Sequence, residues 1–151
     1  MSNRSFSLTV NSKIKDFKKT VKIDSDKSIS IRSFLIGSIG QGISKAKNVL
    51  ESDDVLATIS CLRKLNVKIK KIKLGEYEIY GKGLGSLYCK NRTILDCQNS
   101  GTLSRLLIGI LSTTPGIEVV IKGDGSLNKR NMSKLINLME QFGAEFTKNK
   151  I

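Results

Sequence analysis

The sequence predicts an α/β protein built from a repeated unit of helices and strands. The order helix, strand, helix, strand occurs twice along the 151 residues. In both copies the first helix is apolar around nearly its whole circumference, whereas the second is apolar on one side only. A helix without a polar face is normally buried, and an amphipathic helix lies at the surface. Each copy is therefore expected to place one buried and one surface helix against a sheet.

The first copy contains two helices and four strands. In order, we predict a helix at 28–39, a strand at 43–49, a helix at 52–65, and strands at 67–72, 76–80 and 93–95. Gly40 ends the first helix. Asp53 and Asp54 occupy the first turn of the second helix, where negative charge favours the helix dipole.

The second copy repeats this order. We predict a helix at 100–112, a strand at 117–121, a helix at about 131–142 and a strand that begins at 144. Pro115 and Gly116 mark the stop after the first of these helices. We expect the first unit to span about 21–95 and most of a second unit to span about 96–151. The closing strands would extend past Ile151, so the chain is expected to be incomplete.

Composition limits the function classes. The length and a hydrophobic content of 39% suit one domain with a real core. A net charge of +13 raises nucleic acid, anionic membranes or small acidic ligands as partners, although the charge is mostly lysine and is spread along the chain. No histidine is present, which excludes an imidazole base or His-ligated metal within the chain.

Localisation is predicted from the cysteines and from the lack of apolar segments. The three cysteines show no CxxC spacing, which indicates reduced thiols. The sequence contains no apolar run of ~18 residues and no signal-peptide core. We therefore expect a soluble, cytoplasmic protein.

The first motif is Asp26-Lys27-Ser28-Ile29-Ser30-Ile31-Arg32, at the start of the first helix. Ser28 and Arg32 are four residues apart and therefore lie on one helix face. Lys27 stands where free backbone N–H groups and the helix dipole favour an anion. This pattern indicates a cradle for phosphate or carboxylate.

Two further motifs indicate anion binding. Asp96-Cys97-Gln98-Asn99-Ser100-Gly101-Thr102-Leu103-Ser104-Arg105 opens a helix, with Asn99 or Ser100 as the N-cap and Gly101 open to close approach by a ligand. Gly123-Asp124-Gly125-Ser126-Leu127-Asn128-Lys129-Arg130-Asn131 contains a guanidinium, which can bind carboxylate or phosphate in bidentate fashion. An ordinary capped buried helix is the alternative interpretation of the first of these segments. Taken alone, the second would be interpreted as a solvated basic turn.

In this order the three motifs resemble those of the 5-enolpyruvylshikimate-3-phosphate synthase family of enolpyruvyl transferases. The family motifs are Lys-Ser followed by Ser-His-Arg or Ser-Asn-Arg, then Asn-(Ala/Ser)-Gly-Thr-x-x-Arg, then Gly-Asp-x-Ser-Leu-x-x-Arg-Pro. The present chain has Asp24-Ser25 in place of the family's Pro-Gly, Ile31 in place of a polar residue, and Asn131 in place of the last proline. Ile31 is tolerable if its side chain points inward.

The resemblance implies roles for individual residues. Lys27 is the expected catalytic residue and touches both substrates. Shikimate-3-phosphate is expected to contact Lys27, Ser28 and Arg32. Phosphoenolpyruvate is expected to contact Lys27, Asn99, Gly101, Thr102 and Arg130. Arg105 is expected to be a structural ion-pair partner, and Cys97 has no base beside it.

The resemblance also implies a fold and a reaction. Family members are inside-out α/β barrels whose two domains each contain three βαβαββ units around buried helices, and substrates bind between the domains. A first strand near 5–10 would belong to the other side of the hinge, and the acid–base residues would follow Ile151. The expected reaction moves the enolpyruvyl (carboxyvinyl) group of phosphoenolpyruvate to the 5-hydroxyl of shikimate-3-phosphate and releases phosphate, on the shikimate pathway to chorismate and aromatic amino acids.

Further expectations follow from the same resemblance. The reaction needs no metal and no organic cofactor, family members are mostly monomeric, and neither nucleic acid nor a membrane is an expected partner. Glycine at position 101 leaves room for glyphosate, an inhibitor that competes with phosphoenolpyruvate. This chain alone is expected to be inactive.

Two alternatives stay open. One is a UDP-N-acetylglucosamine enolpyruvyl transferase, although that branch usually has asparagine after the lysine. The other is a basic nucleic-acid-binding module that uses Lys68, Lys70, Lys71 and Lys73, a run without an evident aromatic platform and more typical of a solvated strand edge.

Overall fold

The computed structural model describes residues 7–13, 18, 20, 21 and 23–147. Its elements are α1 (Lys27–Ile39), β1 (Gln41–Ala46), α2 (Asp53–Lys64), β2 (Lys68–Lys73), β3 (Glu76–Lys82), β4 (Thr93–Asp96), α3 (Gly101–Leu111), β5 (Val119–Lys122), a short 3-10 helix (Leu127–Lys129) and α4 (Ser133–Glu140). The predicted α/β class and the order of the elements as far as α4 are confirmed.

The strands form two sheets of different kinds. The first is antiparallel, in the order β1-β3-β2 with β3 in the centre. The second pairs β4 with β5 in parallel, in a register that joins Thr93 to Val119 and Asp96 to Lys122. A parallel pair needs a crossover connection, and α3 supplies it. No helix in the part of the chain described above is both long and apolar enough to cross a membrane.

Helix α1 packs its inner face on the antiparallel sheet. Ile31 and Phe34 are fully buried, and the Phe34 ring meets the Tyr77 ring of β3 edge to face, with centroids 5.2 Å apart. The condition under which Ile31 is tolerable, an inward side chain, is therefore met. A Cβ atom at Gly81 of β3 would overlap the Gly40 carbonyl oxygen at the end of α1, so this glycine lets helix and strand approach closely.

The prediction that α1 is buried all round is wrong. Ile29 and Ile36 are 66% and 65% exposed, and together with the exposed Arg32 they form an outward stripe of α1 at i, i+3 and i+7 spacing. The described sheets cover only the opposite face of this helix. A hydrophobic helix composition predicts burial, but it does not say which face has a partner.

The second copy is shorter than predicted. Helix α4 contains no buried residue, and the strand expected from 144 is absent among the described residues as far as 147. The strand expected near 5–10 falls partly outside the described residues, and 7–10 form no strand.

The Glu51 carboxylate connects the segment before α2 to the turn between β2 and β3. Its oxygens accept from the Gly75 backbone N–H at 2.8 Å and from Lys71 Nζ at 2.6 Å. The Gly75 hydrogen bond, followed by that of Lys71, lowers the pKa of Glu51 from 4.5 to about 2. The folded state therefore favours the ionised carboxylate, and its contribution to stability is complete above pH 4.5 and lost as the pH falls towards 2.

We expect the parent chain to lose more stability between pH 5 and pH 2 than the Glu51→Gln variant, because glutamine has no charge to titrate. The measurement is urea unfolding at several pH values across this range. The control is Glu118→Gln, at an exposed glutamate whose contact with Arg92 is long, at 3.9 Å. This variant should lose stability over the pH range as the parent does. Parallel loss of stability in the parent and in Glu51→Gln would contradict the assignment.

Candidate functional site

The first motif forms the start of α1. The Asp26 carboxylate caps the helix by accepting from the Ile29 backbone N–H at 2.7 Å. The Ser30 hydroxyl accepts from the Leu50 backbone N–H at 3.0 Å and so holds the segment before α2 against α1. The two helix N-termini are thereby brought close together.

This arrangement gives Lys27 a partner that the sequence analysis missed. Lys27 Nζ lies 2.7 Å from Asp54 Oδ2, with the lysine side chain 49% exposed and the aspartate 17% exposed. The only sign of this pairing in the sequence was the acidic first turn of α2, but two aspartates there are explained equally well by the helix dipole. An ammonium has three donors, so Lys27 retains donors for an anion while Asp54 orients it.

The other two predicted site residues of this motif, Ser28 and Arg32, lie within α1. Ser28 is partly buried in the first turn of α1, and Arg32 is exposed one turn later on the same face. With Lys27 they present two cations and a hydroxyl beside the positive end of a helix. We call Lys27, Ser28, Arg32 and Asp54 the α1 cluster.

The second and third motifs meet because β4 and β5 are parallel neighbours. Each motif begins where its strand ends. The ladder continues past the strands, since the Cys97 N–H donates to the Lys122 carbonyl at 2.8 Å and the Asp124 N–H donates to the Gln98 carbonyl at 2.8 Å. Two loops distant in sequence are therefore aligned side by side at one sheet edge.

Side chains of these loops form a hydrogen-bonded chain. Asn99 Nδ2 donates to Asp124 Oδ2 at 2.7 Å, and Arg130 Nη2 donates to Asn99 Oδ1 at 3.0 Å. The other Asp124 oxygen accepts from the Leu127 and Ser126 backbone N–H groups at 2.7 and 3.0 Å. The Asn99 hydrogen bond and then that of Leu127 hold the pKa of Asp124 below its usual value.

Gly101 lies against the Arg130 guanidinium. Ser100 caps α3 by accepting from the Leu103 N–H at 3.3 Å, and Gly101 begins the helix. A Cβ atom at Gly101 would lie 2.5 Å from Arg130 Nη1 and 2.8 Å from Arg105 Nη1, closer than real contacts allow. A side chain at this position would therefore displace the ends of both arginine side chains. We call Asn99, Gly101, Thr102, Asp124 and Arg130 the loop cluster, with Thr102 partly buried in the first turn of α3.

The expected structural role of Arg105 in an ion pair is not seen. Among the described residues Arg105 forms no salt bridge, and its Nη1 instead donates to the Gly101 carbonyl at 3.4 Å. Asn131 stands where the family has proline. Its Oδ1 accepts from the Ser133 N–H at 2.8 Å, and this hydrogen bond fixes the start of α4.

Cys97 is buried beside the loop cluster but does not suit nucleophilic chemistry. It is fully buried, and its hydrogen bond with the Cys61 thiol, together with burial, raises its pKa. A thiol that stays protonated at neutral pH is a poor nucleophile.

The lysines of β2 do have aromatic neighbours, which corrects the sequence-based expectation. Lys68 Nζ lies 4.6 Å from the centroid of the Tyr80 ring, and Lys71 Nζ lies 5.8 Å from that of Tyr77. However, Tyr77 is buried, and Lys71 is paired with Glu51. The position of β2 at a sheet edge agrees with the solvated edge expected for it.

The predicted site residues therefore form two groups. Helix α1 packs against α3, so the clusters belong to neighbouring helices. No hydrogen bond or ion pair joins them within 23–147. Asp124 stood inside a recognised motif, but its contact with Asn99 depends on β4 and β5 being adjacent, which the sequence did not indicate.

Comparison with known proteins gives a consistent result. A sequence model of the EPSP synthase (3-phosphoshikimate 1-carboxyvinyltransferase) family matches residues 11–150. A 3-phosphoshikimate 1-carboxyvinyltransferase from Caldicellulosiruptor bescii is 46% identical over 126 residues, which cover 83% of this chain and 28% of the relative. The protein of the same name from Syntrophomonas wolfei is 41% identical over 135 residues, covering 89% and 31%.

The fold agrees with these sequence matches. The solved structure of EPSP synthase from Acinetobacter baumannii superposes with a TM-score of 0.75 at 37% identity, covering 83% of this chain and 28% of that one. The chain thus spans between 28% and 31% of the length of these relatives. With this family match over nearly all its residues and this shared fold, the chain belongs to the EPSP synthase family of transferases.

Proposed function

We propose that the complete protein transfers the enolpyruvyl group of phosphoenolpyruvate to the 5-hydroxyl of shikimate-3-phosphate. The hydroxyl oxygen loses its proton and bonds to C2 of phosphoenolpyruvate while the C2=C3 double bond opens and C3 takes up a proton, which gives a tetrahedral adduct. A proton then leaves C3, the double bond forms again, and the bond from C2 to the phosphate oxygen breaks to release phosphate. The proposed setting is the shikimate pathway, in the cytoplasm, with a monomeric enzyme that needs no metal, organic cofactor, nucleic acid or membrane.

The observation that carries this proposal is the loop cluster. It holds the Arg130 guanidinium directly against Gly101, where no side chain intervenes, and of the guanidinium nitrogens only Nη2 donates a hydrogen bond among the described residues. A planar guanidinium matches the carboxylate and the phosphate of phosphoenolpyruvate in bidentate fashion. In this proposal Asn99, Gly101, Thr102 and Arg130 form the pocket for that substrate.

The α1 cluster is proposed to bind the second substrate. Ser28 and Arg32 hold shikimate-3-phosphate, and Lys27 reaches both substrates as the catalytic cation. Both substrates carry several negative charges, and charge also develops as phosphate leaves. Fixed cations and helix N-termini stabilise such charge without reorganising, which is commonly the largest contribution to catalysis.

Two alternatives differ in the acceptor or in the ligand class. The combination of Ser28 with Arg32 favours shikimate-3-phosphate over UDP-N-acetylglucosamine. The pairing of Lys71 with Glu51 and of Lys73 with Glu76 weakens the case for a nucleic-acid surface on β2. Salt-dependent binding of an oligonucleotide would favour that alternative.

The test uses what we call the completed enzyme, in which this chain replaces the matching 28% of the Caldicellulosiruptor bescii relative. Phosphate release is measured with phosphoenolpyruvate and either shikimate-3-phosphate or UDP-N-acetylglucosamine. Turnover with shikimate-3-phosphate alone supports the proposal. Turnover with the UDP-sugar, or oligonucleotide binding without turnover, would overturn it.

We expect the 151-residue chain alone to release no phosphate from saturating substrates, because the resemblance places them between two domains and the chain spans 28–31% of its relatives' length. The assay is the same, with the completed enzyme as positive control. Turnover by the isolated chain at the rate of the completed enzyme would show that this segment contains the whole site.

A further inference from the structure

The hydrogen-bonded chain Asp124–Asn99–Arg130 has a defined direction. A carboxylate can only accept hydrogen bonds and a guanidinium can only donate them, whereas an amide side chain does both at opposite ends. Asn99 lies between the two, with Nδ2 at 2.7 Å from Asp124 and Oδ1 at 3.0 Å from Arg130. Only this orientation of the amide satisfies both neighbours, so Asp124 and Arg130 fix it together, and Asp124 holds the Oδ1 end of Asn99 towards Arg130.

The order of the groups also protects the charge of Arg130. A carboxylate directly on the guanidinium would hold it as firmly, but it would compete with an anionic ligand for the same donors. A neutral carbonyl oxygen fixes the guanidinium while its charge stays available. Asp124 is itself anchored by two backbone N–H groups, those of Ser126 and Leu127, so the relay starts from a rigid turn.

We propose that Asp124 is a positioning residue. It acts through the amide of Asn99 to orient Arg130 for binding phosphoenolpyruvate. This rests on the proposed function, because it takes the anion at Arg130 to be phosphoenolpyruvate. Asp124 itself touches no substrate. Its contribution is to the affinity for one substrate and not to the chemical step.

The main variant is Asp124→Asn in the completed enzyme. Asparagine keeps the oxygen that accepts from Ser126 and Leu127, so the turn is preserved. Its amide nitrogen, however, meets the Asn99 nitrogen, and reversing Asn99 only moves the clash to Arg130. We expect the KM for phosphoenolpyruvate to rise ~10- to 100-fold, as for the loss of a hydrogen bond to a charged group. The KM for shikimate-3-phosphate and kcat should change little.

Glu118→Gln removes one negative charge just before the first residue of β5 and is the matched control. It should leave both KM values as in the parent. An unchanged KM for phosphoenolpyruvate in Asp124→Asn, or equal rises for both substrates, would overturn the proposal.

A double variant separates positioning from folding. Asn99→Asp combined with Asp124→Asn restores every hydrogen bond with the polarity of the first link reversed, but it places a carboxylate directly on Arg130. We expect unfolding stability to return to the parent value while the KM for phosphoenolpyruvate stays raised. Full recovery of that KM would mean that the network serves only to hold the loops together.

A binding measurement distinguishes failure of the relay from failure of the proposed function. Inorganic phosphate is titrated into the completed enzyme while the Arg130 side-chain Nε–H signal is followed by NMR, with Arg130→Lys identifying the signal. We expect the signal to shift in the parent and to need at least tenfold more phosphate in Asp124→Asn. No shift in the parent, or equal affinity in both, would overturn the relay whatever the turnover assay shows. Absence of turnover with an intact phosphate response would overturn only the proposed reaction.

Discussion

Replacing Arg130 by alanine in the completed enzyme should weaken phosphoenolpyruvate binding more than any other single change considered. Arg130 is exposed in this chain, and the proposed function places its anion between two domains. The substitution removes the proposed bidentate contact with that anion and leaves Asn99 Oδ1 without its donor at 3.0 Å. Loss of one member of such a charged pair costs about 2–5 kcal/mol, which corresponds to roughly 30- to several-thousand-fold in affinity. The measurement is the KM of each substrate at saturating levels of the other.

Two further variants make this result specific. Arg130→Lys keeps the charge but loses the planar fork, and it should fall between the parent and the alanine form. Arg32→Ala should show the opposite preference and weaken shikimate-3-phosphate far more than phosphoenolpyruvate. Equal damage to both substrates by Arg130→Ala would mean that Arg130 acts only as part of the structure.

Gly101→Ala should have the next largest effect, again on phosphoenolpyruvate. The added methyl group would lie 2.5 Å from Arg130 Nη1 and 2.8 Å from Arg105 Nη1, so both guanidinium groups must move. The ends of flexible side chains can move at little cost in stability, so the expected effect is on binding, because one of the groups that moves is the guanidinium proposed to bind the substrate. We expect the KM for phosphoenolpyruvate to rise. The inhibition constant for glyphosate should rise by a larger factor than this KM.

Gly109→Ala is the matched control for this change. Gly109 lies in the same helix, and a Cβ atom there meets nothing within 4 Å. It should leave both constants unchanged and raise helix stability slightly. An inhibition curve for glyphosate on each variant decides the matter. A Gly101→Ala form as sensitive as the parent would place Gly101 outside the pocket.

Local signals explain why much of the fold could be predicted. Ser100, one of the two N-cap candidates, does cap α3, and Gly40 does end α1, because these effects involve residues only a few positions apart. The same signals located the three motifs on helix starts and loops. Helix boundaries were less accurate at α4, which was predicted at about 131–142 and spans Ser133–Glu140. This helix has no buried residue, so no packing contact among the described residues extends it.

The parts that could not be predicted depend on contacts distant in sequence. Asp54 meets Lys27 only because Ser30 holds the segment before α2, and Asp124 meets Asn99 only because β5 lies beside β4. Neither pairing leaves a pattern in spacing or composition. The exposed Ile29 and Ile36 were missed for a related reason, since apolar character alone does not say what covers a residue.

The parallel pairing of β4 and β5 also bears on the order of folding. Antiparallel strands β2 and β3 are joined by a short turn and can pair early, whereas β4 and β5 can pair only after the chain has crossed through α3. Contacts that close longer loops form more slowly, because loop entropy must be lost before they contribute. We therefore expect the loop cluster to assemble late in refolding, after the antiparallel sheet, so that amides of 119–124 gain protection from hydrogen exchange after those of β3.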